Sequence, residues 1–213
     1  MITELLQRSD AFHEHLEGLI QASPSIQLEQ ARHSVSAANA LVSIEHAIAA
    51  RQCFGNALSQ SATALIRLQF EALVRGAWAL YVATDASIDV MNAPLDAASD
   101  ESARKLPGAT AMLRALSGRA PAGLTTPLEH FYASTWHGLN SYVHTGIHPI
   151  RRRIEGYPVE LAVQQIRNGN GLLHLSYRLL AALTGSTTIM AKVTEAWRMH
   201  QGCLPVSVVK AGA

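Results

Sequence analysis

His130, His137 and His144 recur every seven residues in the segment EHFYASTWHGLNSYVHTGIHP. Asn140 stands between the last two, and His148 follows four residues on. Seven residues are close to two helical turns, so on a helix the three histidines share one face. A histidine, with an ordinary pKa of about 6.5, takes up and returns protons near neutrality, which makes such a face a candidate for acid/base work. A second constellation stands earlier in the chain. Arg67, Glu71 and Arg75 follow one another at four-residue spacing within ALIRLQFEALVRGAW, a run that is otherwise largely apolar. Charges on so apolar a helix must be paired or must line a cavity, because a lone buried charge is costly. Brought together, the two sets would be the equipment for metal-independent cleavage of RNA through its 2′-hydroxyl. Arg67 or Arg75 would hold a phosphate, Glu71 would fix the geometry, and His144 would move the proton. His137, Asn140 and His148, with the dense basic triplet Arg151, Arg152 and Arg153, would add phosphate or ligand contacts. A solvated histidine face and a structural ion-pair ladder account for the same residues without any chemistry.

A metal site is not expected. His144 and His148 have the spacing that zinc helices use, but Pro149 disfavours helical geometry at His148. His137 and His144 would lie roughly 10 Å apart along a helix, too far to share one ion. Cys53 and Cys203 match no metal or redox spacing, and no cofactor is implied.

These residues need a scaffold, and its class is legible. With 48% hydrophobic and 15% charged residues in 213, the chain can bury a sizeable core and is not of disordered type. A net charge of +1 gives no global attraction for nucleic acid or acidic membranes, and no DNA-binding motif is present. No apolar run reaches the length of a membrane span and the N-terminus lacks a signal-like apolar core, so a cytoplasmic protein with reduced thiols is expected.

Apolar periodicity predicts an all-α fold, an antiparallel bundle of five to seven helices around a central buried helix at about 57–84. Other helices are expected at about 3–22, 26–53, 127–145 (with Pro127 in the first turn) and 188–200, and another starts at Pro158. The run Asn168-Gly169-Asn170-Gly171 is read as a break between two helices. Residues 1–203 form one domain with a loop-rich insertion at about 85–126, containing two short helices near 98–106 and 109–116. Residues 204–213 form a tail. An apolar face left over by the bundle would make a homodimer.

Two of these segments also carry a resemblance. ALIRLQFEALVRGAW (64–78) and NSYVHTGIHP (140–149) resemble a group of uncharacterised bacterial all-helical proteins that share an R-x-x-[FL]-E helix and a later Y-x-H-x-G segment. That group is distantly similar to the HEPN (higher eukaryotes and prokaryotes nucleotide-binding) superfamily, which implies helical, dimerising proteins that include toxin and defence ribonucleases. The HEPN ribonuclease pattern sets an Arg four to six residues before a His on one helix. Here Asn140 precedes His144 and residues 136–139 contain no Arg, so Arg67 or Arg75 would have to supply the charge. The function expected is therefore a HEPN-like protein whose Arg/Glu/His pocket binds RNA or a phosphate-bearing ligand, with metal-independent ribonuclease activity as its chemistry. The alternative is a non-catalytic dimeric interaction module, a defence or toxin–antitoxin partner, in which the charged stripe is structural and the 85–126 insertion meets the partner. The catalytic reading needs His144 and an arginine to meet in an accessible cleft. The module reading needs the arginines to be consumed by carboxylates and the histidines to be open to solvent.

Overall fold

A computed structural model describes residues 1–23, 25–26 and 28–205. Among these, ten α-helices and one short 3-10 turn occur, and no strand: α1 (Ile2–Gln21), α2 (Ala31–Gly55), α3 (Ser59–Tyr81), α4 (Asp85–Asn92), α5 (Ala97–Ala103), α6 (Ala109–Leu116), α7 (Ala122–Val143), α8 (Ile147–Glu155), α9 (Val159–Leu183), α10 (Thr187–Met199) and the turn Gln201–Cys203. The all-helical class is as expected, but five to seven helices was too few. The two short helices expected within 85–126 are present as α5 and α6, and the unexpected ones are α4, in the same segment, and α8. Side-chain caps hold two of these short helices in place: Thr84 accepts from the Ser87 amide, and Asp96 forms a reciprocal capping box with Ser99.

The helix expected at the centre is there. α3 is packed by α2, α6, α7 and α9, and Phe70, Leu73, Val74, Ala77 and Ala79 are fully buried along it. It runs antiparallel to α2, and the pair approach closely at Gly76. A Cβ there would lie 3.0 Å from the Asn39 Cβ, 3.1 Å from the Ser36 carbonyl oxygen and 3.2 Å from Leu179. Glycine at this position lets three helices meet. One turn away the Ser43 hydroxyl joins the same three, bonding the Gln69 carbonyl (3.0 Å) and the Ser176 hydroxyl (2.8 Å).

The expected break at Asn168-Gly169-Asn170-Gly171 is overturned: α9 passes through it without interruption. Three residues of the run, Gly169, Asn170 and Gly171, have tertiary uses that outweigh their turn preference. Gln69 donates to the Gly169 carbonyl (2.9 Å), Asn170 donates to the Ser9 hydroxyl and the Cys203 carbonyl (both 2.8 Å), and a Cβ on Gly171 would meet Pro205 at 3.1 Å. α7 begins at Ala122 rather than Pro127, so Pro127 lies inside the helix. α2 begins at Ala31 rather than near Ile26. Cys203 and Leu204 are buried against the core, so Leu204 is not part of a tail; residues 206–213 of the expected tail lie outside the described residues.

Candidate functional site

The α3 stripe divides between two fates. Arg67 is buried between α3 and α7. Its Nη1 pairs with Glu71, its Nη2 donates to the Asn140 Oδ1 at 3.3 Å, and its guanidinium carbon lies 3.7 Å from the centre of the Trp136 ring. Trp136 is in turn backed by Phe70, with ring centroids 5.8 Å apart. Ion pair, amide and aromatic face together satisfy a charge that could not otherwise sit there. Arg75, two turns on, is only half-buried. It looks away from α7 and lines a cleft bounded by α2, α4 and α5.

The histidines take a third position. His130 and His137 ride on the outward side of α7, His144 caps its C-terminus, and His148 lies in the first turn of α8; all four are exposed. Of the polar residues in that stretch named as candidates, Asn140 is the one in contact with Arg67. Among the described residues no side chain bonds or pairs with His144. The residues expected to form one pocket are thus spread over the α3–α7 seam, an open helix face and a separate cleft.

The Asn140–Pro149 segment has a clear structural job. α7 ends at Val143 with Thr145 in the left-handed region (φ 50°), and the Gly146 amide bonds back to the Ser141 carbonyl at 2.7 Å. This is the hydrogen-bond pattern of a helix C-terminus turned by a left-handed residue. A Cβ on Gly146 would fall 2.6 Å from the Ser141 hydroxyl, which also accepts the His148 amide at 3.1 Å. The corner is closed by aromatic contacts. Tyr142 stacks on His148 (6.3 Å) and meets Tyr157 (6.4 Å), whose hydroxyl bonds Thr63 of α3 at 2.6 Å. Burial pushes both phenols above their ordinary range. Hence Gly146 and His148 serve the α7–α8 corner.

α8 itself buries no residue. Ile147, Ile150 and Ile154 fall at i, i+3 and i+7 and are exposed, while Arg152 turns inward near Tyr142. Arg151 pairs with Glu155, and Arg153 is exposed. The outcome is an apolar ridge flanked by cations and directed away from the molecule, not the simple basic patch that the Arg triplet suggested.

A polar layer between α1, α2, α9 and α10, in which Arg51 and His174 are buried, escaped sequence reading. Arg51 of α2 bonds Asp10 and His13 of α1, each at 2.9 Å, and His174 of α9 bonds the Val193 carbonyl of α10 at 2.8 Å. His15 meets His200 at 3.1 Å. Burial lowers His13, with Arg51 adding to the effect, and lowers His200, with His15 adding. A polar residue inside the apolar run of α9, such as His174, was the available signal, because it must find a partner when buried.

Lysine cannot replace Arg67 here, since an ammonium cannot stack on Trp136 while reaching both Glu71 and Asn140. Arg67→Lys is expected to lose about 1–2 kcal/mol in urea unfolding. No change in the unfolding midpoint would mean that the guanidinium contacts contribute nothing.

No curated protein and no solved structure matches the chain. A family model does match, over residues 40–206, which includes α3, the α7–α8 corner and α9. The chain belongs to the family of unknown function DUF6988.

Proposed function

We propose that this protein is a non-catalytic helical interaction module acting in the cytoplasm, dimeric, and a partner in a defence or toxin–antitoxin pair. The observation that carries this reading is the separation of Arg67 from the histidines. Arg67 is consumed by Glu71, Trp136 and Asn140, and His144 stands open to solvent without it. A buried guanidinium whose Nη1 and Nη2 are both taken by Glu71 and Asn140 has neither of these groups free for a phosphate, and a histidine without an orienting partner is a poor proton carrier. Surfaces suited to partners support the same reading: the α8 ridge, and Leu41 and Val42, which stand exposed near the middle of α2. Dimerisation is assigned to the α2 face, and the heterologous partner to α8.

A second reading is a HEPN-like RNA-binding protein of bacterial type or metal-independent ribonuclease. It is favoured by one contact: Arg67 reaches Asn140, one turn before His144, which is how an arginine on α3 would substitute for the one absent from α7.

Incubating purified protein with total RNA in EDTA separates the two. Under the module reading RNA remains intact with the wild type and with His144→Ala, and light scattering gives a dimer that Leu41→Glu converts to a monomer. Cleavage by the wild type that is lost in His144→Ala would establish the second reading instead. A monomeric wild type would remove the dimer.

A further inference from the structure

Arg75 is the member of the α3 stripe left without a partner. Among the described residues no carboxylate pairs with it and no side chain bonds it. It is half-buried on one wall of a cleft of about 490 Å³ between α2, α3, α4 and α5. That volume lies within the range of small-molecule sites, roughly 300–1,000 Å³. Among the described residues the only other charged group lining the cleft is Asp100, already engaged by Arg104 at 2.8 Å. The interior therefore carries one uncompensated cation.

The remaining walls are of two kinds. Val90, Met91 and Leu106 form an apolar side, and Asn39 and Asn92 present amides. Asn39 is held by a bond from its Nδ2 to the Val35 carbonyl at 2.8 Å, so its amide is oriented rather than free to swing. α5 closes one side of the cleft while burying none of its own residues, and it packs chiefly against α4. Such a lightly held cover can part to admit a ligand.

We infer that this cleft binds a small organic anion, its carboxylate or phosphate head on the Arg75 guanidinium and its apolar body against Val90, Met91 and Leu106. A guanidinium presents a planar fork of donors that matches either head group, and an anion restores the pairing that the half-buried cation lacks within the chain. A neutral ligand of the same shape would leave the charge uncompensated. The inference stands apart from the interaction-module reading, since neither α8 nor Leu41 and Val42 line the cleft.

Titration calorimetry of the full chain with hexanoate, hexyl phosphate and 1-hexanol tests it. Saturable binding of at least one anion is expected, with hexanol at least tenfold weaker. Arg75→Gln should weaken that anion at least tenfold. Met91→Glu, which sets a like charge on the apolar wall, should do the same and serves if Arg75→Gln does not fold. Arg153→Gln on α8 should leave affinity unchanged. Which anion binds reports the head group. Absence of saturable binding by either anion, or equal affinity in wild type and Arg75→Gln, overturns the inference. Neither result bears on RNA cleavage or on the dimer.

Discussion

Phe70→Ala is expected to destabilise the protein by about 3–5 kcal/mol, the range for truncating a buried aromatic that the surroundings cannot collapse around. Phe70 is fully buried in the middle of α3, stacked on Phe131 with centroids 5.0 Å apart, and in contact with Tyr132 and Trp136. These three belong to α7, so the substitution strips the α3–α7 seam of its main apolar contact. Domains of this size hold only about 5–15 kcal/mol in total, so the variant would be unfolded or nearly so on mild warming. The effect reaches the charged stripe. Trp136 loses the ring behind it, and with it the firm face on which the Arg67 guanidinium rests. Urea unfolding followed by circular dichroism measures the loss. A shift below about 1 kcal/mol would contradict the tight packing of this seam.

The second large effect is a loss of stability in mild acid. His174 is buried in α9, packed against Phe12 and Trp197 and bonded to the Val193 carbonyl. Burial lowers its pKa from the ordinary 6.5 to about 4, with the Arg178 charge acting in the same direction. Above pH 6.5 the ring is neutral in both folded and unfolded chains, and it contributes no pH dependence. Between pH 6.5 and about 4 the unfolded chain binds a proton that the folded chain refuses. Stability therefore falls across this window and the loss is complete below the folded pKa. The span corresponds to about 3 kcal/mol from this residue. His13, His46 and His200 are also lowered by burial, so each adds to the loss in the same direction. Urea midpoints taken from pH 7.5 to 4.5 should be level above about pH 7 and decline below it. His174→Gln, which keeps a donor for the Val193 carbonyl, should flatten the decline. A stability independent of pH across this window would mean that the histidines of this layer are not buried as neutral rings.

What the sequence by itself determined is the helical class, the centrality of α3, and the requirement that its charges be paired or line a cavity. All three follow from short-range physics. Apolar residues at helical spacing must face other apolar surfaces, and an arc too wide for one neighbour demands several. The charge rule holds through both outcomes, since Arg67 is paired and Arg75 lines a cleft. Local chemistry also made the end of α1 legible, but the start of α7 and the passage of α9 through Asn-Gly-Asn-Gly were not. In α9 tertiary contacts to Gln69, Ser9 and the Cys203 carbonyl override intrinsic turn preference by satisfying groups that a turn would have left in water.

Which residues meet was decided only by the tertiary structure. Spacing put Arg67, Glu71 and Arg75 on one stripe, but each four-residue step rotates the side chain by roughly 40°, so over two turns the stripe passes from α7 to the α2–α4–α5 cleft. Spacing likewise placed His137 and His144 on one face of α7, yet it could not say whether that face would be the inner one. Phe131, Leu128 and Leu139 claim the inner side because burying them removes more apolar area from water than any arrangement of the histidines could offset, and the histidines are left outside.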